Sequence, residues 1–345
     1  MKLKDGLSSS STLLNLAATG RLNCCFYKGH YYWFVGDSES GKSWLALASL
    51  AEASINPEFD DYRLIYDNSE HGALMNIERY FGKRVADRLE PPRGTREEPI
   101  YSKTVEDMYY ALQDLFEVGE PFIFIEDSMD VLDTKADQKK FKKQMRAKTE
   151  SDNKAGELQV GAKAALNSAY LRRVVDGCNK TKSIVIIISQ TRDRLGFGAK
   201  FDPKTVAGGR ALKFYATMSI WTSIREKIKR TVRGKKRAIG IMSKVQTKKN
   251  RHQGKDRTIY VPIHYSSGVD DIGSLISYLV DEKHWKGTEE NVTAPEFDYK
   301  GSREGLVQQI ESEGASAEYE IKQIVKEVWN EIEAACEVQR KSRYD

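Results

Sequence analysis

The chain has 345 residues, 40% hydrophobic and 30% charged, with a formal net charge of +5. That is enough for a real core and for one large α/β domain with an extra piece, or for two domains. No apolar run approaches the ~20 residues that cross a bilayer, and Met1-Lys2-Leu3-Lys4-Asp5 leads into serines instead of a secretory signal, so a cytoplasmic chain without a membrane span is expected.

Ser8 to Ser11 form a polar run, Leu13-Leu14-Asn15-Leu16-Ala17 begins ordered structure, and residues 20–29 read as turns. Tyr31-Tyr32-Trp33-Phe34-Val35 is then a strand, followed by Gly36-Asp37-Ser38-Glu39-Ser40-Gly41-Lys42-Ser43 and by the helix start Trp44-Leu45-Ala46-Leu47-Ala48. Strand, glycine loop and helix in this order make a phosphate-binding P-loop. Gly36 and Gly41 let backbone N–H groups point inward at a β-phosphate, Lys42 reaches the β- and γ-phosphates, and the Ser43 hydroxyl can ligate Mg²⁺. The helix N-terminus faces the same anion. The competing reading is a chance glycine-rich turn.

A second strand, Leu64-Ile65-Tyr66, ends near Glu70, where a carboxylate can orient and activate water for attack on a γ-phosphate. A helix over residues 104–118 leads to the strand Pro121-Phe122-Ile123-Phe124-Ile125 and then Glu126-Asp127-Ser128. This resembles a Walker B strand, with Asp127 holding the magnesium shell and Glu126 turned to the other side of the pleat. The alternative for Asp127 is a strand-end acid that caps the next turn. A helix over residues 162–175 precedes the fourth strand, Ser183-Ile184-Val185-Ile186-Ile187-Ile188. These runs lack polar alternation, as parallel strands covered on both faces do, and they alternate with helices: a doubly wound α/β sheet.

Gln190 follows the fourth strand and can sense a γ-phosphate with its amide; otherwise it is an ordinary turn residue. Residues 195–209 are glycine-rich and polar, a mobile loop. Residues 219–221, 239–242 and 258–263 read as antiparallel strands joined by basic turns, and from residue 271 the chain reads as a separate small helical lobe. In its last helix Ile321, Ile324, Val325, Val328 and Ile332 form one apolar stripe. The four cysteines, Cys24-Cys25 together and Cys178 and Cys336 apart, show no metal-ligand spacing and argue for free thiols.

The charge is unevenly distributed. Residues 225–257 carry fourteen Lys/Arg against two acids, and residues 281–345 carry sixteen acids against nine Lys/Arg. A basic middle with an acidic end suits a polyanion binder with a moderating tail, or simply a solvated hairpin and a solvated helix.

Ser189-Gln190-Thr191-Arg192 and Gly208-Gly209-Arg210-Ala211-Leu212-Lys213-Phe214-Tyr215-Ala216 together resemble the second DNA-binding loop of RecA-type recombinases and the helix after it. Tyr66-Asp67-Asn68-Ser69-Glu70-His71-Gly72 is similar to the segment carrying that family's catalytic glutamate, with one residue inserted before the acid. Leu13 to Ala17 with Tyr27-Lys28-Gly29 looks like the family's lead into its P-loop. The likeness is firm over about residues 12–265 and faint beyond, and in length and style it is nearer to phage RecA/UvsX-like ATPases than to the bacterial enzyme.

The resemblance implies a RecA-like P-loop ATPase core: a mostly parallel twisted sheet flanked by helices, with antiparallel strands and a small acidic C-terminal helical lobe. Its divisions would be a lead-in (1–29), a core (30–268) with DNA-binding loops near 133–161 and 191–210, and the lobe (269–345). It also implies a DNA-dependent ATPase that uses ATP and Mg²⁺, assembles on single-stranded DNA and pairs it with duplex DNA. Glu70, Lys42 and Gln190 would be catalytic, with Gln190 the ATP sensor. Arg192, Arg194, Phe201, Gly208, Gly209 and Arg210 would lie in or beside the DNA loop. Lys248, with Lys249 and Lys244 as alternates, would reach a neighbour's nucleotide, or else only add to the basic surface.

At the first DNA-binding loop the segment 133–161 is longer than the family leads one to expect. It carries Lys139, Lys140, Lys142, Lys143 and Arg146 around Phe141 and Met145, which suits a DNA channel or a solvated linker. Fewer than about a dozen residues precede the core, so the helix that RecA docks on its neighbour is expected to be missing. Three readings follow: a helical filament that exchanges strands, a ring helicase or mediator built on the same core, and a nucleotide-gated binder with negligible hydrolysis. A single-strand-binding or mediator protein is a further expected partner, and the host cytoplasm is the compartment if the chain is viral.

Overall fold

The computed structural model describes residues 6–70, 76–148, 162–193, 204–206, 208–288, 291–338 and 340. Strand β1 (Gly6–Leu7) pairs with β2 (Phe26–Tyr27) around helix α1 (Thr12–Thr19). Next come β3 (His30–Gly36), α2 (Lys42–Ile55), β4 (Arg63–Asp67), and the short α3 (Ile77–Phe81), α4 (Lys83–Arg88), β5 (Leu89–Glu90), β6 (Arg93–Gly94) and β7 (Pro99–Ile100). The middle of the chain holds α5 (Val105–Val118), β8 (Phe122–Glu126), α6 (Lys135–Lys148), α7 (Ala162–Thr181), β9 (Ile184–Asp193), β10 (Lys204–Val206) and α8 (Arg210–Tyr215). The basic strands are β11 (Met218–Val232), β12 (Lys235–Asn250), β13 (Thr258–His264) and β14 (Gly268–Val269). The remainder is α9 (Asp271–Asp281), β15 (Lys286–Gly287), β16 (Asn291–Ala294), β17 (Tyr299–Ser302), α10 (Arg303–Glu313) and α11 (Ala315–Ala335).

One large sheet runs β14-β13-β12-β11-β3-β9-β8-β4-β5, with β10 paired to β9. The six strands from β11 to β5 are mutually parallel, and β11 to β14 are antiparallel. The non-alternating apolar runs are explained by two separate cores. Tyr32, Phe34, Ile123, Ile125, Ile186 and Ile188 face the core containing α1 and α2. Tyr31, Trp33, Phe122, Phe124, Val185 and Ile187 face the one containing α5, α7 and α8. A strand covered on both faces has no side left for polar residues.

Local signals agree with these elements. Helix α5 has a reciprocal capping box between Thr104 and Asp107 and ends at left-handed Gly119. Helix α2 begins after Gly41, which makes no side-chain cap, so its first-turn N–H groups remain for an anion. Among the described residues no helix is long and apolar enough to cross a membrane.

Three expectations change. The first DNA-loop segment is not a loop at its start: residues 135–148 form α6, whose Thr134 exchanges hydrogen bonds with Asp137. The fourth strand does not stop at Ser189. It continues to Asp193 and is met by β10, so residues 204–206 of the expected mobile loop are a strand paired with the end of β9. The C-terminal region is not purely helical, because β15–β17 form a three-stranded antiparallel sheet. Nor does it keep a core to itself. Ile321, Val325, Val328 and Trp329 share one apolar cluster with Leu13, Leu45 and Ile188, so the α11 stripe is covered.

An ion-pair cluster fixes α11 to the turn before β13. Arg257 Nε and Nη2 and Lys255 Nζ all donate to the Glu333 carboxylate, the last two at 2.7 Å. The Arg257 hydrogen bonds, ahead of other influences, hold Glu333 down to about 2 from its ordinary 4.5. A carboxyl depressed on folding stabilises above its unfolded value and loses that contribution as pH falls through the folded one. Glu333→Gln is therefore expected to lower Tm by about 2 °C at pH 7, corresponding to about 1 kcal/mol. In thermal melts its difference from wild type should close as pH falls below 4.5 toward 2.

Candidate nucleotide site and its link to the basic hairpin

Parallel topology brings the carboxyl ends of β3, β4, β8 and β9 to one edge of the sheet, the position where such sheets bind ligands. The loop from Gly36 to Ser43 lies there. A Cβ on Gly36 would come within 2.1 Å of Thr222 Oγ1, so the loop can pack against β11 only through glycine. Ser40 is buried, with its hydroxyl on Asp37 O at 2.7 Å and Thr222 Oγ1 at 2.6 Å. It shapes the loop, while Ser38 and Glu39 form its exposed tip.

Lys42 is 6% exposed and donates to the carbonyl oxygens of Gly36 at 3.0 Å and Asp37 at 2.6 Å. Burial lowers its pKa, opposed by the charges of Asp127, Glu70, Asp130 and Asp37. Asp127 is buried at the end of β8. Burial raises its pKa, partly offset by hydrogen bonds from Ser43 and Tyr66, the latter at 2.9 Å. Glu126 points to the other face and accepts from Ser69 at 2.5 Å. Burial and then Asp67 push its carboxyl well up, and the acid beside Ser43 and Lys42 is Asp127.

Glu70 and Gln190, on segments 120 residues apart, meet directly. Gln190 Nε2 donates to Glu70 Oε1 at 2.5 Å, and Ser128 Oγ donates to the same oxygen at 2.7 Å. Asp130 then accepts from the Gln190 backbone N–H at 2.6 Å and lies 3.8 Å from the exposed Arg192. Sequence reasoning missed Ser128, Asp130, Tyr66, Thr191 and Thr222. The first two lie within three residues after Asp127, a local signal that was legible; the others are recruited across strands.

The residues fit a nucleoside triphosphate with Mg²⁺. The loop offers uncapped helix amides and a lysine resting on its own carbonyls, and Ser43 and Asp127 supply hard oxygen donors. Among the described residues no group of three or more His, Cys, Asp or Glu side chains could hold a metal by itself.

The remaining residues lie elsewhere. Lys139, Lys140, Lys142 and Lys143 are exposed on α6, as are Phe141 and Met145. Arg146 is on the same helix. Arg194 and Phe201 lie outside the described residues. Gly208 and Gly209 have φ of 93° and 83° and press on α7: a Cβ would come within 2.9 Å of Asn167 Nδ2 and 2.5 Å of Ala164 Cβ respectively. Gly208 O also accepts from Asn167 at 2.7 Å. Their freedom is needed for internal packing, where a close approach to phosphate was expected. Arg210 opens α8 on the surface. Lys248 Nζ stands 4.0 Å over the Trp221 ring. Lys249 donates to Lys213 O and Phe214 O at 2.7 and 2.8 Å, its pKa pushed down to about 8 by burial and then by Arg251 and Lys213. Lys244 stands opposite Tyr260 on β13.

The sequence matches the family described as RecA N-terminal domain over residues 143–270. It is 27% identical over 281 residues to Protein RecA of Streptococcus gordonii, covering 80% of this chain and 64% of that one. The same identity and coverage hold for Protein RecA of Streptococcus mutans. The chromosomal Protein RecA of Lactococcus lactis is 34% identical over 137 residues, 39% of this chain and 35% of its own. The chain thus spans just under two thirds of the length of the streptococcal relatives. Residues 143–270 include Gln190, Gly208, Gly209 and the strands on either side of β3, so part of the likeness falls on the site, and the chain is similar to the RecA-type recombinases.

Proposed function

We propose that this protein is an ATP-dependent DNA recombinase that assembles on single-stranded DNA, hydrolyses ATP in response to it and pairs it with duplex DNA. The observation that carries this reading is the Glu70–Gln190 contact. It joins the carboxylate placed to activate water to the first residue of the β9–β10 hairpin, so that a γ-phosphate arriving between them alters both.

In this reading the amides of residues 36–43 and Lys42 bind the ATP phosphates, and Ser43 and Asp127 hold Mg²⁺, which neutralises charge on the phosphates. Glu70 orients the attacking water and takes its proton. Gln190 exchanges its Glu70 contact for the γ-phosphate and passes the change to Arg192 and the hairpin. The exposed lysines of α6, with Arg146, Arg192, Arg194, Phe201 and Arg210, contact DNA, mostly at its phosphates. Lys248 or Lys249 reaches the nucleotide of an adjoining copy in a helical assembly, once drawn from Trp221 or from the end of α8. The lead-in, core and lobe (1–29, 30–268, 269–345) are functional divisions, the lobe restraining access to the basic surface, and the protein works in the cytoplasm.

The test is ATP turnover with and without single-stranded DNA, alongside electron microscopy of the protein with oligonucleotide and a nonhydrolysable ATP analogue. The expected results are turnover stimulated at least ~10-fold by DNA, against a spread of enzymatic rates that makes such a change easily read, and helical filaments. A DNA-indifferent rate overturns the reading; closed rings favour a motor on the same core.

A further inference from the structure

Asp37, the second residue of the phosphate loop, places a carboxylate beside a site for polyphosphate, where like charges repel. Both arms of the β9–β10 hairpin grip it. The Thr191 hydroxyl donates to Asp37 Oδ1, and Lys204 Nζ lies 3.1 Å from the same oxygen. Thr191 directly follows Gln190, Lys204 opens β10, and the two arms are paired in register, Val206 opposite Thr191 and Lys204 opposite Asp193. Burial alone would raise the Asp37 pKa, but the hydrogen bonds from Thr191 and Lys204 and the charges of Lys204 and Lys42 outweigh it and hold the carboxyl below its ordinary range.

As a contribution to stability the pair is minor, because the side chains are 41% and 40% exposed and such ion pairs are screened. Its position gives it consequence. The carboxylate belongs to the nucleotide loop, and both donors belong to the segment assigned to DNA.

Resting on the DNA-dependent ATPase reading, we infer that Asp37 and Lys204 form a charge node coupling the phosphate loop to the β9–β10 hairpin, by a route separate from Gln190. Lys204 neutralises Asp37 and keeps the loop receptive to a triphosphate. DNA that reorganises the hairpin changes how well Lys204 does so, and by linkage the nucleotide changes DNA affinity by the same factor. Lys204 is a positioning residue: it acts on the nucleotide through Asp37.

The experiment titrates a fluorescent ATP analogue into the full chain with and without oligo(dT), giving a coupling factor for each variant. Lys204→Ala leaves Asp37 unbalanced, so nucleotide affinity is expected to fall about tenfold and the coupling factor about threefold or more, within the usual range of allosteric factors. Adding Asp37→Asn to that variant should restore the affinity but not the coupling, and Lys204→Arg should keep both. A merely structural role would lower Tm without this pattern of separate rescue. Coupling that survives Lys204→Ala, or affinity that Asp37→Asn fails to restore, overturns the inference alone. No coupling in the wild-type protein overturns the DNA-dependent ATPase reading and this inference with it.

Discussion

Glu70→Gln is expected to lower ATP turnover by about 10²–10⁴-fold, the usual worth of a positioned general base, while nucleotide affinity stays within about threefold. The substitution keeps the size and shape of the side chain, so the hydrogen bonds from Gln190 and Ser128 at 2.5 and 2.7 Å can be remade through the amide oxygen. What it removes is the negative charge and the ability to take a proton. The backbone is secured independently, because Glu70 N–H donates to Asp127 O at 3.1 Å, so the loop should not move. Single-turnover phosphate release, measured beside analogue binding, separates the chemical step from affinity. Turnover that is unchanged in this variant would assign the water to another group and favour a nucleotide-gated binder.

The second large effect concerns α6. Replacing Lys139, Lys140, Lys142 and Lys143 by Ala should weaken single-stranded DNA binding by about 10²-fold or more and flatten the log–log salt dependence by ~0.7 for each phosphate left unneutralised. The four lysines are exposed on the first helix after β8. The anchoring role falls to Lys135 instead, 3.3 Å from Asp107 and 4.6 Å over the Tyr110 ring, with its N–H on Glu106. Lys135→Ala should therefore affect stability and leave the salt slope unchanged. Binding titrations across a salt series test both; an unaltered slope in the fourfold variant would make α6 an ordinary solvated helix. Phe141 and Met145, 63% and 54% exposed, face solvent among these lysines, where aromatic or apolar side chains can stack on unpaired bases.

Several parts of the site were legible because their signals are local. A glycine loop between an apolar strand and a helix, or an apolar strand ending in a carboxylate, needs only neighbouring residues to be recognised, and Gly36, Lys42, Ser43 and Asp127 lie together as such patterns require. The choice of Asp127 over Glu126 also follows from strand geometry, since consecutive side chains alternate faces. Less legible was the hairpin. Its glycines and polar residues resemble a loop whether or not the arms pair, and the register of Val206 opposite Thr191 is a long-range choice. Likewise α6 is mostly lysine, without the apolar face that usually announces a buried helix.

What the amino-acid order determined by itself is the doubly covered sheet, the glycine loop at its edge and the residue types gathered there. All of these depend on interactions within a few residues or on the hydrophobicity of whole strands. Only the tertiary structure decided which partners each group has. Gln190 is paired with Glu70, Ser40 is committed to Thr222, the two glycines pack on α7, and Asp37 is shared with Lys204. The physical reason is range: a hydrogen bond or ion pair forms between groups a few ångströms apart, and that separation is set by how distant strands lie beside one another, which no local pattern in the chain encodes.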